Sequence, residues 1–275
     1  MVKEPAGQGA VVRSSNTVDN ANTNRDQMRS ITEKEYEEMR AGAKVLGADS
    51  SGDKVFQLTD GRVLKLFRVR NIISSAYLYP YSLRFVDNVF KLQKKGISTV
   101  EIIDVFKVKG IGKTAVMYNP LEGITVREIF HNKNKFNEAF AENLGAFIAD
   151  LHERGIYFRS IHIGNIVQMP SGELGLIDVS DMKVQRRPLS FCKRFRNIPH
   201  IIRVKREFPG LYRKRDAFVR GYTKILNKSN RFKERVSIRL YRIFDKFARI
   251  NALGDRREPG FREQWHLLKP KSRVG

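Results

Sequence analysis

The sequence predicts an α+β chain of two lobes, and three observations predict it. Strand-like runs cluster in residues 54–118. Apolar residues spaced for one face of a helix take over after residue 120. A loop-borne set of polar side chains lies between the strand-rich and helical halves. The length, 275 residues, suits one large domain or two lobes sharing a cleft, and a 41% hydrophobic content is enough for a core.

Taken in order, residues 1–27 are rich in Asn, Ser, Gly and Thr without apolar period and read as a disordered tail. Met28 is a candidate natural start. Residues 28–118 form the expected first, β-rich lobe. Thr32 is placed to cap a charged helix. Lys54–Thr59 and Arg62–Arg68 are strand-like and joined by Asp60-Gly61, a two-residue hairpin signal. A helix is predicted over 82–95, with Leu83, Val86, Val89, Phe90 and Leu92 near one face and Gly96 as its stop. Val100–Val108 and Lys113–Tyr118 are two further strands.

Residues 119–275 form the expected second, helical lobe. Phe140, Leu144, Phe147, Ile148 and Leu151 make a buried stripe on a helix ending at Gly155. Short strands follow at Ile166–Met169 and Leu174–Asp178, around a Pro170-Ser171-Gly172 turn. Beyond 185 the chain reads as basic helices with interleaved Phe, Tyr, Leu and Ile.

Chemistry concentrates in Phe158–Val167 and Gly175–Asp181. Asn165 and Asp178 end or begin short apolar strands, separated by 178 − 165 = 13 residues. Two oxygen donors so placed can share one Mg²⁺ with phosphate oxygens. Lys65 sits mid-strand between apolar neighbours, where an ammonium either faces an opposing charge such as phosphate or points to solvent. Gly47-Ala48-Asp49-Ser50-Ser51-Gly52 reads as a loop whose amides suit phosphates. Met117-Tyr118 ends a strand before Pro120, a hinge-like break whose backbone suits an adenine edge. Ser160 lies five residues before Asn165, His162 reads as a brace, and Asp181 is a further nearby carboxylate.

The order Lys65, Met117, Leu151–Gly155, Ser160-x-His162-x-Gly164-Asn165 and Asp178 resembles the protein-kinase-like superfamily. Within it, the chain looks most like bacterial lipopolysaccharide core heptose/Kdo kinases and related toluene-tolerance-type phosphotransferases, over about residues 45–225. The resemblance implies a two-lobed fold, ATP with Mg²⁺, and phosphorylation of a sugar hydroxyl at the cytoplasmic membrane face. It assigns Lys65, Gly52, Met117 and Tyr118 to nucleotide and Asn165 and Asp178 to metal. Ser160 stands where that family carries its catalytic Asp, Asp178-Val179-Ser180 replaces D-F-G, and only Asp87 or Asn88 is available to partner Lys65. A pseudokinase scaffold is therefore a second expectation.

The net charge of +23 is uneven. Residues 183–275 carry 28 Lys and Arg against 7 Asp and Glu, or +21, leaving +2 for residues 1–182. Such a field faces a polyanion: an anionic glycolipid, an anionic inner-membrane surface, or RNA. Cys192 is the single cysteine, which excludes an intrachain disulfide, and it is expected half-buried. No apolar run approaches the ~20 residues that span a bilayer. A cytoplasmic, peripheral location is expected.

Overall fold

The computed structural model describes residues 28–49, 52–68, 80–132 and 135–254. The expected disordered tail and the basic segment after 254 lie outside them. The chain is α+β. A six-stranded sheet is ordered β1-β5-β6-β4-β3-β2, with β1 at Arg29–Ile31, β2 at Lys44–Asp49, β3 at Gly52–Gln57, β4 at Val63–Arg68, β5 at Glu101–Val108 and β6 at Lys113–Asn119. Helix α1 (Glu33–Arg40) precedes β2, and α2 (Tyr81–Lys94) connects β4 to β5. The second half holds α3 (Val126–His131), α4 (Glu138–Glu153), α5 (Phe191–Ile202), α6 (Phe208–Arg213), α7 (Arg215–Ile225) and α8 (Asn230–Gly254). Short strands β7 (Ile124–Thr125), β8 (Ile156–Phe158), β9 (Ile166–Gln168), β10 (Leu174–Leu176) and β11 (Met182–Val184) lie among them.

Local chemistry accounts for most boundaries. Thr32 caps α1 as expected: its hydroxyl accepts from Glu35 N at 3.2 Å while Glu35 accepts from Thr32 N at 2.6 Å, a reciprocal box. The Asp60-Gly61 turn joins β3 to β4, with Gly61 at φ +88°. Helix α4 stops before Gly155 because φ is +79° there and a Cβ would meet Gln185 O at 2.4 Å.

Three expectations need correction. Residues 47–49 are strand, not loop: β2 pairs with β3 through a bulge between Val45 and Gly47, as far as Asp49 opposite Gly52. Val45 and Leu46 are exposed, so this edge strand lacks the alternation that marks a half-buried one. Phe90 is 43% exposed, whereas Phe85 and Asn88 join Leu83, Val86, Val89 and Leu92 on the buried side of α2. Cys192 is exposed rather than half-buried.

Two apolar clusters hold the fold. One lies under α1, with Phe56, Leu64, Leu66, Phe106 and Met117 on one face of the sheet. The larger one starts on the other face with Val63, Phe67 and Val116, takes in α2, and continues through α4, α5, α7 and α8. Sheet alternation thus sends odd and even residues of β4 to different cores. In the second, α4 packs tightly on α7: a Cβ on Gly145 would meet Phe218 O at 2.0 Å, and one on Gly221 would meet Glu142 O at 1.8 Å.

Candidate active site

The register of one hairpin brings Asn165 and Asp178 together. Strands β9 and β10 pair Ile166 with Leu176, and one step outward Ile177 N donates to Asn165 O at 3.0 Å. Asp178 follows at once. Its backbone is left-handed (φ 53°, ψ 49°), the sole non-glycine with positive φ among the described residues. For an L-residue that conformation costs about 1–2 kcal/mol. Asn165 is buried and donates its Nδ2 to Ser160 O at 3.0 Å, so its amide oxygen has no protein donor among the described residues.

Lys65 reaches this pair from the sheet. It sits in β4 opposite Val55 and Val116, and its ammonium forms an ion pair with Asp178 Oδ1. The Nζ lies 5.4 Å from the Phe67 ring centre and 5.3 Å from that of Phe85, so the aromatic faces add to its stabilisation. The partner expected on α2 is not used. Asp87 lies 3.8 Å from Lys91, and burial raises its pKa against the pull of that lysine. Asn88 is buried and donates to Val179 O at 2.7 Å. Helix α2 therefore holds the loop after Asp178 instead of holding Lys65.

The Ser160 end of the site is built differently. Ser160 Oγ lies 3.5 Å from Asp181 Oδ2. Arg159 donates to Asp181 Oδ1 through Nε at 2.9 Å and Nη2 at 2.5 Å, which raises the pKa of the guanidinium further. That fork fixes one carboxylate oxygen and turns the other toward Ser160. The pairing of β8 with β11, Phe158 opposite Met182, brings residues 159–160 beside 181. His200 of α5 feels the charges of both Asp181 and Arg159, and burial lowers its pKa.

A brace lies beneath. His162 Nδ1 accepts from Gly164 N at 3.1 Å, in keeping with the structural role expected of it. Burial, then the Arg127 charge, lowers its pKa. Arg127 passes so close to Gly164 that a Cβ there would lie 2.6 Å from its Nη1 and would have to displace the guanidinium. Arg127 in turn pairs with buried Glu207 at 2.5 Å.

The structure therefore brings Lys65, Asp178, Asn165 and Ser160 into one site. Gly52 begins β3, paired with Asp49, three residues (55 − 52) before the strand partner of Lys65. Met117 and Tyr118 part company. The Met117 side chain goes to the outer core and receives Arg62 Nη1 on its sulfur at 3.1 Å. Tyr118 packs on Phe85, 5.5 Å between ring centres, and burial plus the Asp178 charge push its phenol pKa up. The Met117 side chain is thus turned away from the Lys65–Asp178 pair, leaving its backbone on that side. Arg159 and Asn88 were not singled out for these roles by the sequence: each acts through contacts between distant segments, which periodicity does not register.

Among the described residues no cluster of three His, Cys, Asp or Glu side chains is placed to hold a metal. Asn165 and Asp178 offer one amide oxygen and one carboxylate. This hard-oxygen set fits Mg²⁺ completed by phosphate oxygens and water. No family model matches the chain, and no curated protein matches it.

Proposed function

We propose that the chain is an ATP- and Mg²⁺-dependent phosphotransferase of protein-kinase-like, two-lobed type. Its acceptor would be a sugar hydroxyl on an anionic glycolipid such as a lipopolysaccharide core intermediate. The observation that carries the reading is the convergence of Lys65, Asp178 and Asn165, drawn from the sheet and a hairpin 113 residues apart at the ion pair. The sheet order and the helical second half agree with it.

In this reading Asn165 Oδ1 and the Asp178 carboxylate hold Mg²⁺, and Lys65 orients phosphate. Gly52 and the Met117 backbone lie along the nucleotide, with Tyr118 behind. Bound Mg²⁺-ATP supplies the phosphoryl group and neutralises charge. The transition state of such transfers is loose, so positioning carries most of the acceleration. Ser160 orients the acceptor hydroxyl. Asp181, held by Arg159, takes the proton that hydroxyl loses, restoring the carboxylate that Ser160 lacks.

A second reading, a nucleotide-binding scaffold without turnover, is favoured by Ser160 itself. Purified protein with Mg²⁺-ATP and a lipopolysaccharide core acceptor separates the two. Transfer by the wild type, reduced on the order of 10³-fold or more in Asp178→Ala, is the expected result. Nucleotide binding with no transfer selects the scaffold. Calorimetry without Mg²⁺-dependent ATP binding sinks both.

A further inference from the structure

Helices α5 and α8 enclose a groove of about 570 Å³. Arg196, Arg235, Arg239 and Arg242 line it, with Phe191 and Ile238 as apolar wall. Among the described residues none of these four arginines forms an ion pair with a carboxylate. Arg235 only covers the Phe191 ring, at 5.5 Å. Over Asn230–Gly254 there are seven Lys and Arg (231, 233, 235, 239, 242, 246, 249) against Glu234 and Asp245. Asp245 is engaged by the Tyr212 hydroxyl at 3.0 Å. The opposite face of α8 is fully used by the fold, through buried Val236, Leu240, Phe244 and Ala248.

We propose that the α5–α8 face docks on a bilayer surface rich in anionic phospholipid, with a phosphate headgroup seated in the groove. Charge complementarity selects an anion, and the apolar residues select a membrane over a nucleic acid. Ile238 stands 44% exposed among the arginines, and Ile250 is 50% exposed further along the helix. An aliphatic side chain gains from the headgroup–acyl boundary and gains little from a phosphodiester backbone. Base stacking would need an open aromatic face. Phe195 is 93% covered by its own fold, and Phe191 already lies under Arg235. Arg196 sits one helical turn from His200. The proposed bilayer face thus shares α5 with His200, whose ring feels the Asp181 charge.

Flotation of the full chain with phosphatidylglycerol-containing vesicles, against pure phosphatidylcholine vesicles, tests this directly. Strong retention on the anionic vesicles is expected. The double charge reversal Arg239→Glu/Arg242→Glu should weaken it on the order of 100-fold, and Ile238→Ser should weaken it several-fold without any change of charge. All three positions are exposed, and an unchanged thermal melt confirms the fold of each variant. Asp178→Ala should float like the wild type, so that loss of nucleotide binding and loss of membrane binding are read separately. Equal retention on both vesicle types overturns the proposal, as does retention unaffected by the double reversal. Tighter binding to RNA than to anionic vesicles through these same arginines also overturns it.

Discussion

The two ends of the site are held by different means. At the Asn165–Asp178 end, the two residues are placed mainly by backbone, a hairpin register and a left-handed residue, with the Asn88 side-chain amide donating a hydrogen bond to Val179 O. At the Ser160–Asp181 end, the β8–β11 pairing carries Asp181 beside Arg159, but its carboxylate is oriented by side chains, an arginine fork beside a serine hydroxyl. Backbone placement survives most substitutions nearby. Side-chain orientation depends on one partner, so the Ser160–Asp181 end should be the more easily broken and the more easily repaired.

The largest expected effect that bears on this contrast is Asp181→Asn, which keeps size and removes the base proposed above. Transfer should fall about 10²–10⁴-fold while Mg²⁺-ATP affinity is unchanged. An equal loss in nucleotide affinity would erase the distinction between the two ends. A smaller effect should appear with acid. His152 is fully buried, its Nδ1 2.7 Å from the Tyr222 hydroxyl and its Nε2 3.0 Å from Asn197 Oδ1, and Asn197 donates to Phe158 O at 2.7 Å. Burial chiefly, opposed by the Asn197 bond, lowers its pKa to about 3. The unfolded chain binds that proton near pH 6.5, so this contribution to stability is complete above about 6.5. It is lost as pH falls toward 3, with a slope of at most about 1.4 kcal/mol per pH unit. Denaturant titrations from pH 7 to 4 should show the slope, and His152→Gln should flatten it. Because Asn197 anchors the strand leading to Ser160, acid should relax the Ser160 end before the Asn165–Asp178 hairpin. Amide exchange at residues 158–160 measures that. The smallest effect is expected for Ser160→Ala, less than about tenfold in transfer, since an orienting hydroxyl contributes one modest hydrogen bond.

Much of the architecture was legible in the sequence. Capping at Thr32, the Asp60-Gly61 hairpin and the helix stop before Gly155 are local signals, and local signals are what a sequence carries most openly. Lys65, Asn165 and Asp178 could be singled out because each breaks a local rule: a lysine in an apolar strand, and polar residues at the ends of short buried strands. Strand β1 was not legible. Its three residues pair in parallel with Phe106–Val108, seventy-seven positions away (106 − 29), and nothing nearby marks that. The edge strand β2 was misread for the complementary reason, since both Val45 and Leu46 face solvent. The Asp181–Arg159 pair was half visible: the carboxylate drew notice, but its partner follows β8, more than twenty residues earlier in the chain. Asn88 looked like a poor substitute for an acidic residue, and only the loop carbonyls it serves give it a reason.

The left-handed backbone at Asp178 has a consequence for any population of variants of this chain. Glycine adopts that conformation without penalty and asparagine with little, so both relax the backbone, yet neither carries a carboxylate. Selection for thermal tolerance alone should therefore drift toward glycine or asparagine at 178. Selection for phosphate transfer should hold the acid against that drift. Which residue survives at this one position, under each regime, reads out whether the strain is kept for a purpose.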